Sequence, residues 1–159
     1  MSTFVLPARD DAVRARIDAI VERVHAQGGR LTPQRVAILE ALLSADHPSI
    51  DAIYARVRAA FPMTSLGTVY KTIHMLQEMG EVLELGLGLK ASHYDGLQPA
   101  PHAHLVCTNC GCILDVRVEG LDEVLERVPQ ATGGAVPSGR VDLWGLCPSC
   151  QAARAGESE

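Results

Sequence analysis

Four of the five cysteines fall in two Cys-x-x-Cys pairs, Cys107 with Cys110 and Cys147 with Cys150, and 36 residues separate the pairs. This spacing constrains the fold more than any other feature. Four thiolates are enough to close a tetrahedral zinc shell with no open position, which would pin the two ends of the intervening segment together. That segment is longer than a usual zinc ribbon and reads as strand, helix, strand over 113–118, 121–128 and 141–146. Redox dithiols or ordinary buried thiols are the competing reading, but a redox pair usually opens a helix in a βαβ setting and neither pair does. Cys112 is left over; it reads as a small half-buried residue, with an auxiliary redox role as the alternative.

At 159 residues the chain has room for one domain or two small ones. Cores that small often need a metal or a second copy to persist. The opening segment reaches Arg9, Asp10 and Asp11 before any long apolar run, and no later run approaches the ~18 residues of a membrane span. The expectation is a soluble, cytoplasmic protein with no membrane partner, where paired cysteines bind metal more often than they form disulfides.

Upstream of the cysteines the pattern is helical. Val13, Ile17, Ile20, Val21 and Val24 recur at helical spacing over 10–27, and Gly28-Gly29 stops them. Thr32-Pro33 is a start signal for a second helix, Ser49 for a third ending before Phe61-Pro62, and a fourth runs from near Ser65 to Gly80. Residues 81–95 then read as two strands around Gly86-Leu87-Gly88. Compact helices followed by a hairpin describe a winged helix-turn-helix over 1–95, a Pro-bearing hinge at 96–101 and a small α/β domain over 102–159. The fold class is therefore α+β.

The net charge of −5 is unevenly spread. Residues 1–80 carry nine Lys/Arg against eight Asp/Glu, net +1, and residues 81–159 carry five against eleven, net −6. A local basic surface is permitted at the front of the chain. There, Thr68, Tyr70 and Lys71 lie near the start of the fourth helix, where recognition helices touch base edges. Lysine reaches phosphate or guanine, and a tyrosine ring suits a thymine methyl. Arg30 and Arg35 are placed to meet backbone or a narrow minor groove. A solvated helical face is the plainer alternative, but the helix-turn-helix and wing favour double-stranded DNA.

A second group of ligands differs in kind. His102 and His104 stand two apart, which puts both imidazoles on one side of a strand. Asp95 precedes the hinge and Asp115 lies on the next strand, so the carboxylates can converge on that face. Such N/O ligands suit Fe(II) or Mn(II), whereas thiolates select zinc. An exposed His pair with no ligand is the alternative. His47, on spacing alone, is only a helix-flanking residue in a His-Pro turn.

Leu31-Thr32-Pro33-Gln34-Arg35, His47-Pro48-Ser49-Ile50-Asp51-Ala52-Ile53-Tyr54, Gly67-Thr68-Val69-Tyr70-Lys71-Thr72-Ile73, the HxH block running into Cys107 and Cys110, and Trp144-Gly145-Leu146-Cys147 together resemble the Fur family of metal-dependent transcriptional repressors. The likeness covers nearly the whole chain. It implies a homodimer on operator DNA, an N-terminal winged helix and a C-terminal dimerisation domain carrying a four-cysteine zinc. Within the family the chain is most similar to the peroxide-sensing (PerR) branch. That resemblance maps a regulatory shell onto His47, Asp95, His102, His104 and Asp115, and makes His47 a ligand. Iron-sensing members usually have glutamate where Asp115 stands, and Ala103 replaces the aspartate of a further metal site found in many of them. The 137–140 stretch lacks a histidine common near there, and the dense histidine runs of zinc-sensing members are missing.

The resemblance thus implies that Fe(II) or Mn(II) closes the dimer onto DNA. Peroxide would then oxidise His47 or His102 in the iron form and release it. An iron- or manganese-uptake regulator without peroxide sensing is the nearest alternative. A DNA-binding protein with structural zinc alone is another. A non-haem iron enzyme is a third, disfavoured because so small a domain offers little room for a substrate.

Overall fold

Three helices of the N-terminal half start in the same way, on a side-chain hydroxyl. Thr32 Oγ1 accepts from Arg35 N at 3.3 Å, Ser49 Oγ from Ala52 N at 3.3 Å, and Ser65 Oγ from Thr68 N at 3.1 Å. Each satisfies a backbone donor that the first helical turn would leave orphaned. The structure, a computed structural model, describes residues 9–89, 91–98, 102–134 and 140–156. It divides into two compact units, residues 1–99 and 100–159. The expected hinge residues 99–101 and the 137–139 part of the histidine-poor stretch lie outside the described residues.

In the first unit, α1 (Arg9–Ala26), α2 (Pro33–Leu43), α3 (Ile50–Ala60) and α4 (Leu66–Glu78) precede a two-stranded antiparallel wing, β1 (Leu83–Leu85) and β2 (His93–Asp95). The core is a single apolar cluster. Ile20, Ile38, Leu39, Ile53, Val69 and Leu76 are all fully buried in it. These come from all four helices, and full burial of such a side chain is worth about 1.5–3 kcal/mol. Gly80, at φ +71°, ends α4: its N–H reaches Gln77 O and the Glu81 N–H reaches Leu76 O, both at 2.9 Å. This left-handed cap needs a residue without Cβ strain.

Glu81 follows the cap into the interior, 6 % exposed, and Arg16 and Arg23 of α1 meet its carboxylate. Arg16 also donates from Nε to Gly96 O at 2.9 Å. Gly96 lies against α2, where a Cβ would come within 2.9 Å of Leu42 Cδ2. The chain leaving β2 is therefore fastened to α1 and α2. Asp95 Oδ1 accepts from Leu97 N and Gln98 N at 3.1 and 3.2 Å, an Asx turn that fixes its exit.

The second unit is built on a three-stranded sheet in the order β4-β3-β5. β3 (Ala103–Cys107) pairs antiparallel with β4 (Ile113–Val116) and parallel with β5 (Val141–Gly145). A parallel neighbour needs a crossover, and α5 (Leu121–Thr132) supplies it. α6 (Pro148–Gly156) follows β5.

The α+β class, the four helices and the wing match the sequence reading. The differences are local. The wing strands have three residues each, shorter than the two strands read over 81–95. β4 stops at Val116 rather than 118. α5 continues past Pro129 to Thr132, and the Gly133 N–H closes it on Pro129 O at 2.9 Å. α6 went unread; its signals were Pro148 at the first helical position and the helix-forming Gln151-Ala152-Ala153-Arg154.

Candidate metal centres and nucleic-acid face

The β3–β4 turn carries Cys107 and Cys110, and the β5–α6 junction carries Cys147 and Cys150. The parallel register Cys107↔Gly145 sets the two pairs side by side. All four Sγ atoms lie within 4.8 Å of one another, and Cys110 Sγ is 3.8 Å from Cys147 Sγ. Zinc–sulfur bonds of ~2.3 Å in a tetrahedron give sulfur–sulfur edges of about 3.8 Å. The donor set therefore fits zinc. Backbone N–H groups of Cys110 and Cys147 point at Cys107 Sγ at 3.5 and 3.3 Å, and Asn109 Nδ2 at Cys150 Sγ at 3.3 Å.

These donors stabilise thiolates. The N–H groups of Cys110 and then Cys147 pull the Cys107 thiol down to about 5. The Cys150 N–H lowers Cys147. At Cys150 the Asn109 amide favours the thiolate but is outweighed by the sulfurs of Cys147 and Cys110, which push it to about 11. Cys112, half-buried, is pushed up to about 12, first by the Cys110 thiol and then by burial. Geometry sets it apart from the ligands: the four sulfurs that lie within 4.8 Å of one another are those of Cys107, Cys110, Cys147 and Cys150.

The second cluster of this unit stands at the start of β3 and on its antiparallel neighbour β4. His104↔Asp115 is a register pair of β3 and β4. His102 Nε2 lies 3.1 Å from Asp115 Oδ1 and His104 Nε2 lies 3.7 Å from the same oxygen. The imidazole centroids are 4.3 Å apart and tilted by 52°. His104 is 1 % exposed and His102 9 %, while Asp115 is 41 % exposed. Two buried imidazoles thus converge on one carboxylate at the open end, a donor set suited to Fe(II) or Mn(II). A carboxylate the sequence reading missed backs this group: Asp142 Oδ1 of β5 is 3.5 Å from His104 Nδ1. Only the parallel β3–β5 register, which no local pattern announces, brings it there.

His47 and Asp95 belong to the first unit. His47 is buried, lies within the α2–α3 connection, and has φ +45°, an uncommon conformation for a non-glycine residue. Its carbonyl accepts from His93 Nδ1 at 2.6 Å, and Tyr94 N donates to Pro48 O at 3.1 Å. The His-Pro turn and the strand ending in Asp95 are thereby tied together.

Of the residues expected to touch DNA, Arg30, Tyr70 and Lys71 are exposed, Tyr70 by 54 %. Two are engaged within the unit. Arg35 lies against Met75, Nη1 to Sδ at 3.8 Å, and Thr68 Oγ1 is 2.9 Å from Ser65 Oγ. Met63, 93 % exposed just before α4, was not singled out from sequence; its cue is an apolar residue beside a recognition helix.

A winged-helix unit followed by a small mixed sheet rich in metal-ligand side chains defines a metal-responsive regulator class. The chain belongs to the Ferric uptake regulator family, whose model matches residues 26–143. It is 40 % identical over 131 residues to the peroxide operon regulator of Bacillus subtilis, covering 82 % of this chain and 90 % of that one. It is 32 % identical over 147 residues to the peroxide-responsive repressor PerR of Staphylococcus saprophyticus, covering 92 % and 99 %. The crystal structure of the Campylobacter jejuni peroxide stress regulator superposes with a TM-score of 0.66 at 31 % identity, over 84 % of this chain and 98 % of that one.

Proposed function

We propose that the chain is a metal-dependent, peroxide-responsive transcriptional repressor that binds operator DNA as a homodimer. The observation carrying this reading is the convergence of His102, His104 and Asp115 on one point, separate from the four-thiol cluster. One cluster has the donors of a permanent zinc, the other those of an exchangeable Fe(II) or Mn(II). His47 and Asp95 would complete the second set from the winged-helix unit. Ligands drawn from both units make one arrangement of the chain bind the ion better, so the ion shifts the population toward it. That arrangement sets the spacing of the two α4 helices, which must match half-sites about one helical turn or a multiple apart.

Fe(II) held there would activate peroxide for a two-electron oxidation of a ligand ring, in which the O–O bond breaks, one oxygen is inserted into a ring C–H bond and the other leaves as water. The residues' part is to hold the ion beside oxidisable rings: His47 or His102 would take up one oxygen atom and cease to be a good ligand. Val118, Val124, Leu143 and Trp144, apolar and 44–60 % exposed on the second unit, are suited to burial by a second copy. None of the described helices is long and apolar enough to cross a membrane, and the reading places the chain in the cytoplasm with its operator.

The test is selection of binding sites from random duplexes with and without Mn(II), using the wild-type chain and a His102→Ala/His104→Ala variant. Metal-dependent selection by the wild type alone supports the reading. Equal metal-dependent binding by the variant removes it.

A further inference from the structure

Asp142, a half-buried carboxylate of the sheet, is not among the proposed ligands. Asp142 sits in β5 directly opposite His104 in the β3–β5 register. Directly paired residues of neighbouring strands project to the same face. Its side chain is 15 % exposed, and its Oδ1 lies 3.5 Å from His104 Nδ1. The other ring nitrogen, Nε2, faces Asp115 at 3.7 Å, on the side where His102 also converges. Arg140 holds Asp142 in place, Nε to Oδ1 at 2.8 Å and to Oδ2 at 3.0 Å.

We infer that Asp142 is a positioning residue for the regulatory site: it selects the His104 tautomer with the proton on Nδ1 and the lone pair on Nε2. A neutral imidazole carries one N–H, and the hydrogen bond made by one nitrogen decides what the other offers a metal. Two carboxylates compete for that proton. Each has a second partner, His102 Nε2 at 3.1 Å from Asp115 and Arg140 Nε at 2.8 Å from Asp142, but Asp115 is 41 % exposed, so water screens its charge more. Asp142 is closer and better shielded, where a charge acts more strongly. At 3.5 Å the contact is at the outer limit of a hydrogen bond, so its effect is electrostatic bias on the tautomer. Without it, His104 would turn an N–H toward Asp115, and the ion would have to displace that proton.

This inference rests on the regulatory-site reading for its consequence, but the tautomer is measurable without any metal. The test uses the full-length chain, freed of the second metal by a chelator, with its imidazole nitrogens observed by 15N NMR at mildly alkaline pH. Asp142→Asn, which keeps shape and an acceptor oxygen, and Asp142→Ala are compared with wild type, and Mn(II) affinity is measured alongside. His104 is expected to carry its proton on Nδ1 in the wild type and to shift toward Nε2–H in Asp142→Ala. Asp142→Asn should lie between them. Mn(II) affinity should fall about 10- to 100-fold in Asp142→Ala and less in Asp142→Asn. An unchanged tautomer in both variants would overturn the inference, whatever the metal does. A shifted tautomer in a chain whose wild type fails to bind Mn(II) would uphold Asp142's role on His104 and sink the regulatory-site reading instead.

Discussion

The ring of His93 donates from Nδ1 to the carbonyl oxygen of His47 at 2.6 Å, which fastens the turn before α3 to the second strand of the wing. His47 is held there at φ +45°, although a residue before proline ordinarily prefers extended backbone. The bond, with Tyr94 N to Pro48 O, keeps the turn in that conformation and ties it to the strand that ends in Asp95. His93→Ala should therefore weaken regulatory-metal binding about three- to tenfold, the worth of one or so kcal/mol of lost hydrogen bonding. Isothermal titration with Mn(II) reads this directly. Unchanged affinity would mean that His47 is held by other contacts.

Zinc content separates ligand from neighbour among the five cysteines. Cys110→Ser should lose the zinc and break the dimer, since closing a tetrahedral shell needs all four thiolates. Cys112→Ser should keep one zinc per chain, because the four-thiol group that closes the shell is Cys107, Cys110, Cys147 and Cys150. Metal analysis with light scattering measures both outcomes. A zinc-free stable dimer of Cys110→Ser would contradict the structural role.

Glu81 is a buried carboxylate shared by two arginines of α1. Its buried carboxylate meets Arg16 and Arg23, and Arg16 in turn holds Gly96. Glu81→Ala leaves Arg16 without its carboxylate in a largely buried setting and should cost about 3 kcal/mol in denaturant unfolding. Arg23→Ala should cost less, because that side chain is 46 % exposed.

The helices and wing were legible because each local signal agreed with the tertiary outcome: hydroxyl caps at Thr32, Ser49 and Ser65, stops at Gly80, and apolar faces of helical period. What escaped was information carried by register. Asp142 meets His104 only because β5 pairs parallel with β3, and nothing within 141–145 specifies a partner strand. The setting of His47 was hidden for a related reason, since its bond to His93 spans 46 residues. Two of the residues expected at DNA, Arg35 and Thr68, have intra-unit partners. The pattern of an exposed recognition face cannot distinguish a side chain that caps its own helix from one that reaches outward.

On the nucleic-acid side, exposed Lys71 is expected to meet phosphate. Lys71→Ala should weaken operator binding across sequences and reduce the salt slope of log K by about 1 per chain, about 2 for a dimer. Tyr70→Ala should instead relax discrimination at a thymine while leaving the slope unchanged. Anisotropy titrations over a range of salt concentrations distinguish the two.

Sensing of peroxide by the His/Asp cluster through its own ligands is read out by peptide mass spectrometry after peroxide treatment, comparing Fe(II)-loaded with Mn(II)-loaded protein. A gain of one oxygen atom on His47 or His102 is expected in the iron form alone, in parallel with loss of operator binding. Unmodified histidines in an iron-loaded chain that still releases DNA, or equal oxidation with either metal, would contradict it.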